Sequence, residues 1–244
     1  NQAMMDIIRP YDSSTEKKAE YYKTFLAKIA PEVPENEKEQ QELSDRLVGT
    51  IENGIKAAFN DPDSIDVTMN TIKELVEVKK ADVNRLGGPL QQPPLIVSVT
   101  GNNGFPENKN VSGLRNAIAA YLLEHGADPT KHEEHPMGAQ TIIRAAVFNH
   151  LDILKMCADY ITPEALTAAI NEIPVVNGLT ALHDSVLRAT MAAEDKFEGY
   201  LAQCKWFMEH GGKSDIEDFA GITQKNIAEN CKKEDVRRRL LEIL

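Results

Sequence analysis

Residues 122–136 read Leu-Leu-Glu-His-Gly-Ala-Asp-Pro-Thr-Lys-His-Glu-Glu-His-Pro, with three histidines and three glutamates close together. Two kinds of chemistry suit that composition. His132-x-x-His135, with Glu133 or Glu134, has ligand types and a spacing that zinc accepts. Histidines in an exposed loop can also touch a partner and make the contact sensitive to pH. A polar loop without cysteine is a weak zinc signal, and a functional metal needs a fixed second shell to orient its ligands. The sequence therefore predicts no metal and no cofactor here. It predicts a polar finger, with His132, Glu133 and Glu134 at the rim of a partner-binding surface.

The other reactive residue types give little more. Cys157, Cys204 and Cys231 are scattered, with no Cys-x-x-Cys pair, and they point to a reducing compartment and a cytoplasmic protein. Cys157 and Cys204 fall within apolar helical patterns and read as small buried hydrophobes rather than nucleophiles. His150 and His183 read as packing histidines. Gly101-Asn102-Asn103-Gly104-Phe105 is glycine-rich but lacks the lysine and hydroxyl of a phosphate loop. Arg237, Arg238 and Arg239 form a basic run without interleaved aromatics, which reads as a solvated helix face rather than a nucleic-acid contact. No catalytic residue is expected.

The 244-residue chain carries 38 acidic against 27 basic residues, a net charge of −11, which argues against nucleic acid and anionic membrane as partners. No apolar run is long enough to insert into a membrane. Apolar spacings of three and four predict helices over 14–30, 42–59 and 66–80. A proline-marked polar break at 31–40 separates the first two, and turn residues at 60–64 the others. Beyond residue 80, short helical runs alternate with loops rich in Gly, Asp, Asn and Pro.

That alternation repeats. Asn177-Gly-Leu-Thr-Ala-Leu-His-Asp-Ser-Val186 aligns with Ala220-Gly-Ile-Thr-Gln-Lys-Asn-Ile-Ala-Glu229, and Glu124-His-Gly126 with Glu209-His-Gly211. A further copy, Glu74–Asn84, keeps Ala81-Asp82 but has Lys80 at the glycine. Gly178–Val186 resembles the Gly-x-Thr-Pro-Leu-His-x-Ala opening of the ankyrin repeat, with Ala181 in the place of proline. Ala145–Cys157 resembles that family's core, with Asn149 for glycine and His150 kept. Leu122–Thr130 is similar to its Leu-Leu-x-x-Gly-Ala-Asp ending. Pro93–Asn102 looks like another opening. Thr180 is placed to cap a helix, His183 to bond neighbouring loop backbone, and Gly126 and Gly211 to end helices in the left-handed conformation.

The resemblance implies an all-α ankyrin-repeat solenoid of about five irregular units over residues 41–244, each burying its apolar face only by stacking. Residues 1–40 form an N-terminal helical segment or cap. Surplus residues at 102–113 and 189–200 fall between the two helices of their units. Thr162-Pro163-Glu164 is a helix-start signal that predicts an extra helix over 161–171, and Trp206 is expected to pack under the second insert.

A solenoid of this kind implies a non-catalytic module that grips another protein on its concave surface, as a monomer. Register places Met137, Val147, Phe148, Val176, Leu187, Arg188 and Phe219 on that surface, with Phe148, Leu187 and Arg188 as its anchor. Three other readings stay open: the targeting module of a larger enzyme, a secreted bacterial effector acting in a host cytosol, or an enzyme that uses Cys157 or a His/Glu metal site.

Overall fold

A computed structural model describes residues 35–100, 107–134, 138–174 and 178–244. The helix expected over 14–30 lies outside the described residues. The chain divides into two compact units, Asn1–Glu39 and Gln40–Leu244, and the second is described below.

Among the described residues the structure is almost wholly helical, with eleven α-helices and one π-helical turn. α1 (Glu35–Ala58) starts within the expected break at 31–40, because Glu, Lys and Gln over residues 37–42 are good helix formers. α2 (Ser64–Lys73) runs on into the π turn (Glu74–Val78). α3 (Pro94–Thr100) and α4 (Lys109–Glu124) follow, then α5 (Thr141–Val147) and α6 (Leu151–Ala158). α7 (Pro163–Ile170) is the extra helix: Thr162 caps it by accepting from the Ala165 amide, and Pro163 opens it. α8 (Ala181–Met191), α9 (Glu194–Glu209), α10 (Gln224–Glu229) and α11 (Glu234–Leu241) complete the series.

These helices pack in two rows. α3, α5, α8 and α10 touch in that order, and behind them α2, α4, α6 and α9 do the same. Each inner helix also packs on the helix that follows it, as α3 on α4, α5 on α6, α8 on α9 and α10 on α11. The core fills the space between the rows, with Ile118, Leu122, Ile142, Leu154, Leu182 and Phe207 almost wholly buried. Ala145, Ala146 and Ser185 are fully buried where the inner helices approach. No described helix is long and apolar enough to cross a membrane.

Loops joining successive pairs close on single antiparallel bridges, at Gly87–Gln92, His132–Gln140 and Glu217–Thr223. Gly126 and Gly211 end α4 and α9 at φ +87°. After the π turn the equivalent position is Lys80, held at φ +62° with the Ala81 amide bonded back to the Leu75 carbonyl at 2.9 Å. Asn149 takes the same left-handed region at φ +60°, where its short polar side chain is tolerated better than most.

Most of the described residues of the two surplus segments are helical. Only Ala192 and Ala193 separate α8 from α9, and residues 194–200 are the first turns of α9. Residues 109–113 likewise begin α4, while 102–106 lie outside the described residues. α4 and α9 thus have 16 residues each, and α6 between them has 8.

Contacts recur between neighbouring pairs. The Asn84 side chain donates to the Gly126 carbonyl (2.8 Å) and accepts from the Asp128 amide (2.7 Å). Asn171, which ends α7, donates to the Gly211 carbonyl (2.8 Å) and accepts from the Lys213 amide (2.9 Å). The extra helix therefore hands an asparagine to the following pair just as an ordinary turn does. At α8, Thr180 and His183 form a capping box. His183 Nδ1 accepts from the Thr180 amide (3.2 Å), which makes Nε2 the donor to the Ile222 carbonyl of the next loop (3.1 Å). Burial holds the imidazole below its ordinary pKa and so in this neutral form.

Candidate interaction surface

α5 and α8 are neighbours in the inner row, and each places a charged residue at its fourth position: Arg144 on α5 and Asp184 on α8. Both are buried. Arg144 donates through Nε to Glu133 Oε1 at 2.8 Å and again through Nη2, while Gln92 of the preceding loop donates to Glu133 Oε2 at 2.5 Å. Glu133 is only 3% exposed. The expectation of Glu133 at a solvated rim is therefore corrected: its carboxylate turns inward and ties two loops to α5, because a buried guanidinium requires a counter-charge.

Asp184 is compensated less well. Its nearest cation is Arg188 on the same helix, with Nε 3.8 Å from Oδ1, beyond hydrogen-bond reach. Asp184 Oδ2 and Arg188 Nε are both buried atoms without a hydrogen bond. Burial raises the Asp184 carboxyl above its ordinary range, and Arg188 and Arg144 draw it partly back.

Register singled out apolar residues on these two helices and in the last loop. Val147 is buried at the end of α5, so its side chain belongs more to the packing than to a free surface. Phe148, one residue on, is half-buried, with its ring 6.3 Å from that of His150. Leu187 and Arg188 hold the equivalent places on α8 and are half-buried too. Phe219 is 68% exposed in the last loop, next to Gly178: a Cβ on that glycine would lie 2.6 Å from the ring. Met137 and Val176 lie outside the described residues.

His132 is exposed at the rim, but its Nε2 lies 2.5 Å from Glu172 Oε1, beyond α7. Gln140 also donates to Glu172. Glu134 is exposed, with its amide bonded to the Gln91 carbonyl of the preceding loop at 3.0 Å. His135 lies outside the described residues, and among those described no three His, Cys, Asp or Glu side chains gather as metal ligands. His132 and Glu133 point to different partners, Glu172 on one side and Arg144 with Gln92 on the other.

Cys157 and Cys204 are fully buried, and burial pushes both thiols up to about 12. Each arginine of the basic run has a partner. Arg239 makes two bonds to Glu198 and lies 4.9 Å over the Phe197 ring, Arg238 bridges Asp235 and Glu242, and Arg237 reaches the Cys231 carbonyl. Trp206 shares α9 with insert residues 194–200, and its ring is buried against His210 and Phe207.

Behind α5, the Arg115 guanidinium donates to the Ser98 carbonyl at 2.6 Å and faces Glu107 at 3.5 Å. Glu107 lies 3.9 Å from His150 Nδ1. Burial, and then the charge of Arg115, lower the His150 pKa to about 4, so the ring is neutral at physiological pH. His150 acts here as a packing histidine.

Residue-type reasoning missed Arg144, Asp184, Gln92 and Glu172. The available signal was positional: Arg144 and Asp184 stand at the same offset from their openings, with opposite charge. No protein-family model matches the chain, and no curated protein matches it significantly.

Proposed function

We propose that this chain is a degenerate ankyrin-repeat solenoid that binds another protein, without catalysis, on the inner-helix surface carried by α5 and α8. The observation that carries the reading is the Thr180–His183 capping box whose imidazole bonds the next loop at Ile222, set within helix pairs joined by matching asparagine contacts. Repeated units held in this way make a rigid scaffold, and a rigid scaffold suits recognition by shape and a few anchors. Phe148, Leu187 and Arg188 are those anchors, with His132 and Glu134 at the rim. The Cys157 and Cys204 thiols, buried and held in the protonated form, argue against a cysteine nucleophile. Three free cysteines favour a reducing compartment, whether the cytosol of the producing cell or that of a host.

Site-specific photocrosslinking tests the surface. A photoreactive phenylalanine analogue at Phe148 is compared with one at exposed Lys155 on α6. A discrete adduct from Phe148 that disappears with Leu187→Ala/Arg188→Ala supports the reading. Adducts from Lys155 alone refute this surface, and none from either refutes the binding function.

A further inference from the structure

Phe219 is 68% exposed, and Ile222, three residues on, is 41% exposed. Ala220 and Gly221 between them are exposed as well, so the tip of the last loop is an apolar surface open to solvent. One side of the Phe219 ring rests on Gly178 of the preceding loop. The turn that carries the ring is fixed. Asp218 Oδ1 accepts from the Ala220 and Ile222 amides at 2.8 and 2.9 Å, and the Gly221 amide donates to the Asp218 carbonyl at 3.0 Å. The Ile222 carbonyl accepts from His183 Nε2, which ties the turn to α8. An aromatic held out on such a support loses little freedom when a partner covers it.

Charge selects what covers it. Glu217 and Asp215 stand two and four residues before Phe219, and both are exposed. The chain itself keeps the Cα of Glu217 within about 7 Å of that of Phe219. No ion pair among the described residues holds either carboxylate, and Lys213 and Lys225 at the base of the loop pair with neither. A chain charge of −11 adds to the repulsion of an acidic partner. An apolar side chain would meet the ring but leave the carboxylates unmet. An arginine meets both, because its planar guanidinium lies over an aromatic face and forks to a carboxylate. The same arrangement already occurs within this fold. Arg239 lies 4.9 Å over the ring of Phe197 and makes two bonds to the adjoining Glu198.

We propose that the tip of the last loop is a docking point for an arginine of the bound protein, set beside an apolar residue. The guanidinium lies over Phe219 and pairs with Glu217, Asp215 adds to the attraction, and the apolar neighbour rests on Ile222. The docking point rests on the reading of this chain as a protein-binding module, and it is independent of the anchors on α5 and α8.

The test is selection of a random linear peptide library on the immobilised full chain, with counter-selection on Phe219→Ala, followed by anisotropy titration of the selected peptides. The expected motif holds one fixed Arg next to an apolar residue. Its affinity falls about fivefold or more on Phe219→Leu, which keeps apolar bulk but loses the ring, and likewise on Glu217→Gln. Replacing the peptide's Arg by Lys or citrulline also weakens it, and so does added salt. Both protein variants keep the wild-type thermal unfolding curve, since both side chains are exposed. Selected peptides without a fixed Arg, or with one that is indifferent to Phe219→Leu and Glu217→Gln, would overturn the docking point. Peptides kept by Phe219→Ala but lost on Leu187→Ala/Arg188→Ala would overturn it and leave the α5 and α8 surface standing. No peptide retained above an uncoated support would overturn it too, while crosslinking at Phe148 judges the binding function separately.

Discussion

Acid should weaken this fold through His150, and the size of the effect follows from its surroundings. The side chain is 10% exposed, and burial together with the Arg115 charge lowers its pKa from 6.5 to about 4. A bond to the Val99 backbone opposes that shift without cancelling it. A base with a lowered folded pKa binds fewer protons folded than unfolded. Its contribution is complete above 6.5 and is lost as pH falls toward 4. At about pH 5 the loss comes to about 2 kcal/mol, rising to about 3 kcal/mol below the folded pKa. Glu107 and Asp184, both raised mainly by burial, act in the opposite sense, and His183 in the same sense as His150. The informative quantity is therefore a difference between proteins. Urea unfolding of wild type and His150→Gln at about pH 7 and about pH 5 should show wild type losing about 2 kcal/mol more than the variant. Equal losses in the two proteins would refute the placement of a neutral, buried imidazole at the start of α6.

Four further outcomes are expected. Asn171→Ala should cost about 1–3 kcal/mol and Asn84→Ala a similar amount, since each removes two bonds to the next pair's backbone; a much smaller cost at Asn171 in urea unfolding would show that α7 does not couple its neighbours. Glu133→Ala should cost about 3–5 kcal/mol by removing the buried carboxylate that Arg144 and Gln92 both bond, so any binding lost by this variant must be read beside its thermal unfolding curve. Lys80→Gly should stabilise by about 1 kcal/mol because it relieves a left-handed lysine, and an unchanged or lower melting temperature would contradict that conformation. Glu198→Ala should free Arg239 and speed hydrogen exchange across α11, while exchange in α5 stays as in wild type.

What the sequence made legible follows which interactions are local. Thr162 and Pro163 announce α7 because capping acts within one turn, and Gly126 and Gly211 announce helix ends because backbone conformation is set where it occurs. Thr180 and His183 were readable for the same reason. The inward turn of Glu133 was not, because its partners Gln92 and Arg144 sit in a different loop and on a helix whose approach depends on stacking. Nor did composition show that the surplus at 189–200 would lengthen α9. Glu194–Tyr200 looks like a polar insert until α11 arrives to give Glu198 its arginine and Phe197 its cation. Register alone put Phe148, Leu187 and Arg188 on the proposed surface, while the incompletely bonded Asp184 required atomic positions.

The unequal outer helices, with 16, 8 and 16 residues in α4, α6 and α9, separate two periods that are usually taken as one. Along the chain the period is irregular, because added residues lengthen the N-terminal end of an outer helix or build α7. In space the inner helices still touch one after another, with the small, buried Ala145, Ala146 and Ser185 on α5 and α8, and none of these residues belongs to an added segment. Insertions at these junctions are therefore absorbed sideways, off the axis of stacking. An architecture with such a sink can accumulate length at its margins while the inner face keeps its pitch, which leaves the margins free to diverge without remodelling whatever that face holds.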